Sequence, residues 1–125
     1  MSKVLGSLFV VAVLFVATFF TMTKEKEVIV LTKENFVEKT KSGIVLVDFY
    51  ADWCGPCMEL KQTLKKVTGA KIGKVNIDIE NDLQNDYNVQ SIPTIVFMKD
   101  GKEKSRLVGN HSLETIQAEI DKLKE

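Results

Sequence analysis

The segment Ile44–Tyr50 reads IVLVDFY, and it constrains the fold more than any other stretch of the chain. A nearly unbroken apolar run does not suit a sheet with one wet face. It fits a central strand covered on both sides. Helices must then lie on both faces, and the flanking sequence supplies them. Val28–Leu31 reads as a strand. Thr32 is placed to cap a helix over about Lys33–Lys41, with Phe36, Val37 and Thr40 inward and Gly43 as its stop. A second helix opens near Cys54 and runs to about Thr68, with Leu60, Leu64 and Val67 at helical spacing and Gly69 beyond. Lys71–Asp78 is a third strand and Glu80–Tyr87 a short helix. Thr94–Lys99 and Lys102–Val108 are strands joined through an Asp100-Gly101 turn. Ser112 caps a last helix whose Leu113, Ile116, Ile120 and Leu123 form one stripe. This alternation predicts an α/β fold, its central mixed sheet parallel early and antiparallel at the end, with helices on both faces.

A chain of 125 residues has room for one such domain. Ahead of it, Val4–Met22 reads VLGSLFVVAVLFVATFFTM, without a charge. A membrane-spanning helix needs about 20 apolar residues, whereas the apolar core of a cleavable signal runs to about 7–15. The stretch sits at the long end of these ranges, and no A-x-A site comes after it. An uncleaved transmembrane anchor over 4–22 is the expectation, with a cleaved signal helix as the alternative and a buried core helix as a third reading. The chain then divides into 1–27, anchor or signal plus a short linker, and 28–125, the domain. Lys3 on one side, against Lys24 and Lys26 on the other, does not set the orientation. Short basic starts before long apolar runs commonly direct export of the chain behind them, so the domain is placed outside the cytoplasm. Export after cleavage, or an anchor facing the cytoplasm, are the alternatives.

The charge is balanced, 17 basic residues against 17 acidic, so no basic stripe points to nucleic acid. The only cysteines, Cys54 and Cys57, stand three apart, too close and too few for a disulfide framework. Structural zinc needs four ligands, and His111 is the only further soft candidate, far along the chain. No metal and no cofactor are expected. Two thiolates could hold Cu(I), which leaves Trp53 and the Ile-Pro-Thr segment at 92–94 without a role. Redox chemistry accounts for more. A thiolate is the nucleophile, and free cysteine, with a pKa of about 8.5, is mostly protonated at neutral pH. Cys54 at a helix start meets unpaired N–H groups and the positive end of the macrodipole. Pro56 suits a first turn that has no partners for its N–H groups. Side chains at i and i+3 lie about 5–6 Å apart at Cβ, close to the reach of a disulfide.

Val47 to Cys57, reading VDFYADWCGPC, together with KVNID at 74–78, SIPT at 91–94, the Asp100-Gly101 hairpin and Gly109, resembles the thioredoxin family over about residues 28–125. The resemblance implies a thioredoxin fold and a thiol–disulfide oxidoreductase that reduces protein disulfides. Cys54 is then the nucleophile and Cys57 the resolving thiol, with Trp53, Gly55 and Pro56 completing the active-site loop. Asp48 matches the family's buried aspartate, proton acceptor for the resolving cysteine, and Lys74 the lysine near it. Pro93 matches the family's cis-proline. With Trp53 and the Ile92 backbone it would bind an extended client strand. Met58 stands where the family commonly has lysine, and Gln62 where it often has a kink-making proline. His111 is expected in a loop without a catalytic role. Partners implied are disulfide-containing clients and an electron donor, a membrane thiol carrier outside the cytoplasm or thioredoxin reductase inside it. A monomer is expected. Oxidase or isomerase action on the same scaffold is the nearest rival, and a thiol-independent binding accessory the rival of another class. The family arrangement also implies that residue 28 lies at the pole opposite Cys54, so that an anchor would leave the cysteines facing away from the bilayer.

Overall fold

The computed structural model describes residues 27–125. The apolar segment at 4–22 and residues 23–26 of the linker lie outside the described residues, and so does the expected role as anchor or signal. Among the described residues no helix is long and apolar enough to cross a membrane.

Five strands, β1 (Val28–Val30), β2 (Ile44–Tyr50), β3 (Lys71–Asn76), β4 (Thr94–Lys99) and β5 (Lys102–Val108), form one sheet in the order β1-β3-β2-β4-β5. The first three run parallel, and β4 and β5 are antiparallel. The mixed sheet expected from the pattern is thus present. β2 lies at its centre, and Val45–Phe49 are all buried. Four helices cover the faces: α1 (Phe36–Thr40), α2 (Gly55–Leu64), α3 (Asn81–Asp86) and α4 (Leu113–Leu123).

Successive residues of β2 supply two different cores, as the two-residue period of a strand requires. Val45, Val47 and Phe49 pack with Phe36 of α1, Val75 and Leu83 of α3. Leu46 packs on the other face with Leu60 and Leu64 of α2, Ile95 and Phe97 of β4, and Ile116 and Ile120 of α4. Each fully buried aliphatic or aromatic side chain of this kind contributes about 1.5–3 kcal/mol. At Gly73 of β3 an added Cβ would run into the Leu31 side chain, so the close approach itself selects glycine. The β4–β5 hairpin turns through Asp100 (φ 50°) and Gly101 (φ 83°), the two left-handed residues of a tight hairpin.

Several expected boundaries shift. Thr32 does not cap a helix over Lys33–Lys41: its amide donates to Asn35 Oδ1 (2.8 Å), and Asn35 N–H donates back to Thr32 Oγ1 (3.3 Å). That local exchange holds a turn, and regular helix begins only at Phe36. Val37 was expected inward and is 78% exposed, because Phe36 and Thr40, four apart, already fill the inner face. α2 stops at Leu64 rather than Thr68, yet Val67 is still buried in the turn beyond it. β1 ends at Val30 instead of Leu31, β3 at Asn76 instead of Asp78, and α3 spans Asn81–Asp86 rather than Glu80–Tyr87. Ser112 caps α4 as expected, its hydroxyl accepting from Thr115 N–H (3.2 Å).

Candidate active site

β2 points its C-terminal end at the cysteines. The chain leaves the sheet at Tyr50, and in the turn beyond it the Cys54 amide donates to Ala51 O (3.2 Å). Cys54 then takes the N-cap position of α2 with extended backbone (φ −90°, ψ 109°), and Pro56 lies in the first turn. The Cys57 N–H donates to Cys54 Sγ (3.3 Å). A negative charge on that sulfur would be met by an amide at hydrogen-bond distance and by the positive end of α2. The two residues form a disulfide with Cα atoms 5.2 Å apart. Cys54 is the more accessible, 6% exposed against 1% for Cys57.

The loop before β4 packs against the cysteines. The Ile92–Pro93 peptide is cis, and Ile92 packs with Tyr50 and Ile77 against Ala51, Cys54 and Cys57. Gly109 N–H, just after β5, donates to Pro93 O (2.8 Å) and ties that loop to the sheet end. Trp53 is 71% exposed beside the disulfide, and its indole Nε1–H donates to Asp78 Oδ2 (2.9 Å). Gly55 lies exposed at the start of α2.

Behind the disulfide a groove of about 160 Å³ opens between α2 and the β1–β3 side of the sheet, with Asp48, Tyr50, Cys57, Met58, Ile72 and Lys74 among its walls. Asp48 is buried, and its Oδ1 has no hydrogen-bond partner among the described residues. Loss of hydration pushes the Asp48 carboxyl up to about 7, against a smaller downward pull from the Lys74 charge. A buried carboxyl that ionises near neutrality, in the same groove as the resolving sulfur, is suited to taking up a proton there. Lys74 stands beside Asp48 in the β2–β3 register. Its ammonium lies over the Tyr50 ring, 5.8 Å from the centroid, and forms no ion pair with Asp48 among the described residues.

Sequence reasoning missed three contributors. Asp78 belongs to the KVNID segment but had no role there, although it holds Trp53. Tyr50 was read only as strand, although it carries Lys74. Glu59 on α2 was not singled out, and its Oε2 accepts from Asn110 Nδ2 (2.9 Å) in the loop after β5. Chain separations of 25 and 51 residues leave no local signal for the first and last of these contacts. His111 lies between β5 and α4, where Nε2 donates to Val108 O (2.9 Å). Met58 faces the groove, and α2 runs through Gln62 without a break.

A redox-active cysteine pair at a helix start on an α/β sheet defines a thiol–disulfide oxidoreductase acting on protein disulfides. Both electrons reside in the two sulfurs, so the exchange uses no further cofactor. Comparison with known proteins agrees. The family model described as thioredoxin matches residues 27–122. The thioredoxin of Chlamydia pneumoniae is 41% identical over 97 residues, covering 74% of this chain and 95% of that protein. The thioredoxin of Staphylococcus haemolyticus is 35% identical over 100 residues, covering 76% and 96%. Among solved structures, a mutant thioredoxin from Halobacterium salinarum superimposes with a TM-score of 0.71 at 30% identity, covering 79% of this chain and 92% of that one. The chain belongs to the thioredoxin family.

Proposed function

We propose that this protein is a membrane-anchored reductase of protein disulfides. One observation supports the division of labour between the two sulfurs: the more accessible Cys54 caps α2, while the enclosed Cys57 shares its groove with the buried Asp48. The reducing direction is taken from the Gly55-Pro56 pair between the cysteines, which resembles the reducing members of the family. The Cys54 thiolate attacks a client disulfide. One client sulfur leaves as thiolate, and a mixed disulfide remains. Cys57 gives its proton to Asp48 and attacks Cys54 Sγ. The mixed disulfide breaks, the second client sulfur leaves, and the Cys54–Cys57 bond forms as two electrons pass to the client. Lys74 biases Asp48 toward ionisation through its charge. Trp53, the Ile92 backbone and Pro93 form the floor on which an extended client strand lies. Gly55 and Pro56 shape the turn between the cysteines.

Residues 4–22 anchor the domain, which begins at residue 28 and faces the outside of the cytoplasm. The support is the uncharged apolar run itself. A thiol carrier in the membrane then returns electrons to the disulfide. The test is a full-length Cys57→Ser variant expressed in cells. It should strand clients on Cys54 as mixed disulfides, released by reductant and recovered with the membrane fraction. A variant that captures nothing would refute the reductase reading. Capture from cytosol only would refute the location.

A further inference from the structure

The face around the disulfide is apolar within and acidic at its rim. Trp53, Ile79 and Val108 are 71%, 75% and 55% exposed. Ile79 adjoins the Asp78 that holds Trp53, and Val108 pairs with Thr94 beside the cis-proline loop. Exposed apolar residues inside a polar rim mark a surface that meets another protein. The segments that reach this face, 51–59, 76–80, 88–93 and 108–112, contain Asp52, Glu59, Asp78 and Glu80 and no lysine or arginine.

Two of these carboxylates are both held in place and left uncompensated. Asp78 follows β3 and accepts from the Trp53 indole (2.9 Å). Glu59 accepts from Asn110 Nδ2 (2.9 Å) in the loop after β5. β3 and β5 lie on opposite sides of β2 in the sheet, so the two carboxylate contacts flank the strand end that leads into Cys54. Both donors are neutral. Glu59 and Asp78 are exposed, and neither has a cation within ion-pair distance among the described residues. Cations on the adjoining elements are engaged elsewhere. Lys33 pairs with Asp82 and donates its amide to Glu80, and Arg106 pairs with Glu103. Lys61 and Lys74 line the groove behind the disulfide, where Asp48 and Asp52 offset them. His111 engages Val108 O through Nε2.

We infer that Glu59 and Asp78 select clients that carry lysine or arginine beside the disulfide cysteine. The inference rests on the reductase reading and names the class of client. Its occupant is an extended basic strand lying over Trp53 and the Ile92–Pro93 loop, with its cations directed to the two carboxylates. The exchange chemistry favours the same charge. When Cys54 attacks, one client sulfur departs as a thiolate, and its negative charge forms on a face that is already anionic. A cation in the client next to that sulfur offsets the repulsion and speeds departure, whereas an acidic neighbour adds to it. Because the carboxylates are exposed, salt weakens the effect.

Disulfide peptides of one sequence, with lysine, glutamine or glutamate on both sides of each cysteine, test this. The reduced full chain, kept in non-ionic detergent, is mixed with each peptide, and the released thiols are followed by chromatography. Dividing each rate constant by that for dithiothreitol removes the intrinsic reactivity of the peptide. The normalised rate for the lysine peptide should exceed that for the glutamate peptide about tenfold at low ionic strength, and high salt should collapse the ratio. A combined Glu59→Gln and Asp78→Asn variant keeps an oxygen to accept from Asn110 and Trp53, and it should lower the ratio severalfold whatever its overall rate. A double variant that keeps the full ratio overturns the inference. Reduction of all three peptides at equal normalised rates also overturns it and leaves the reductase reading standing. Reduction of none overturns both.

Discussion

Replacing Asp48 with Asn should shift stability in favour of the variant as pH rises from 4 to 8. In the unfolded chain an aspartate ionises near 3.8, but in the folded protein this carboxyl, buried and with Oδ1 unpartnered, ionises only near 7. Folding thus favours the protonated form. The associated stability is fully present below about pH 4, falls as pH rises toward 7, and is absent above it. The gap between the two ionisations corresponds to about 4 kcal/mol at pH 8, as an upper bound that water entering the groove reduces. Asparagine keeps the shape and never carries the charge. Its amide introduces a pH-independent cost of about 1–3 kcal/mol if one group stays unpaired, so the pH dependence is the quantity to read. Denaturant unfolding of oxidised wild type and Asp48→Asn, followed from pH 4 to pH 9, supplies it, because in the oxidised form no thiol titrates. The stability difference should climb in favour of the variant across pH 4–7 and level off above. A difference that stays flat would refute the placement of Asp48 in a desolvated groove.

Lys74→Met should move the Asp48 ionisation higher still, since the ammonium is what pulls it down; the pH dependence of the Asp48 carboxyl carbon resonance checks this, and a downward move would contradict it. Gly73→Ala should destabilise by about 1–3 kcal/mol through overpacking against Leu31, read as a lower denaturant midpoint with an unchanged slope. Ser112→Ala should cost about 1 kcal/mol through loss of the α4 cap, with disulfide reduction unaffected at temperatures where the variant stays folded.

Much of this fold could be read from the sequence. The IVLVDFY run could only be a doubly covered strand, and the glycines, Ser112 and Asp100-Gly101 marked where elements stop, start and turn. The misreadings arose where short-range hydrogen bonding competed with periodicity. Thr32 and Asn35 bond to each other instead of extending α1, and Val37 has an apolar side chain that the inner face has no room for. At the site, Cys54 and Cys57 were legible because helical phase sets their spacing, whereas Asp48 was reached through the family resemblance. The partners chosen by flexible side chains were not. Register places Lys74 beside Asp48, yet nothing in the sequence says that its ammonium settles over Tyr50. Nor does any local pattern join Trp53 to Asp78.

The link between Cys54 and Cys57 closes a ring of only four residues. In the chain-entropy picture such a ring withdraws about 2 kcal/mol of freedom from the unfolded polymer, against about 5 for a loop of a hundred residues. As a rivet it is weak, and the two hydrophobic layers around β2 hold the architecture without it. Opening it therefore leaves the scaffold standing, and the bond can act as a small battery, discharged and recharged while the housing keeps its shape.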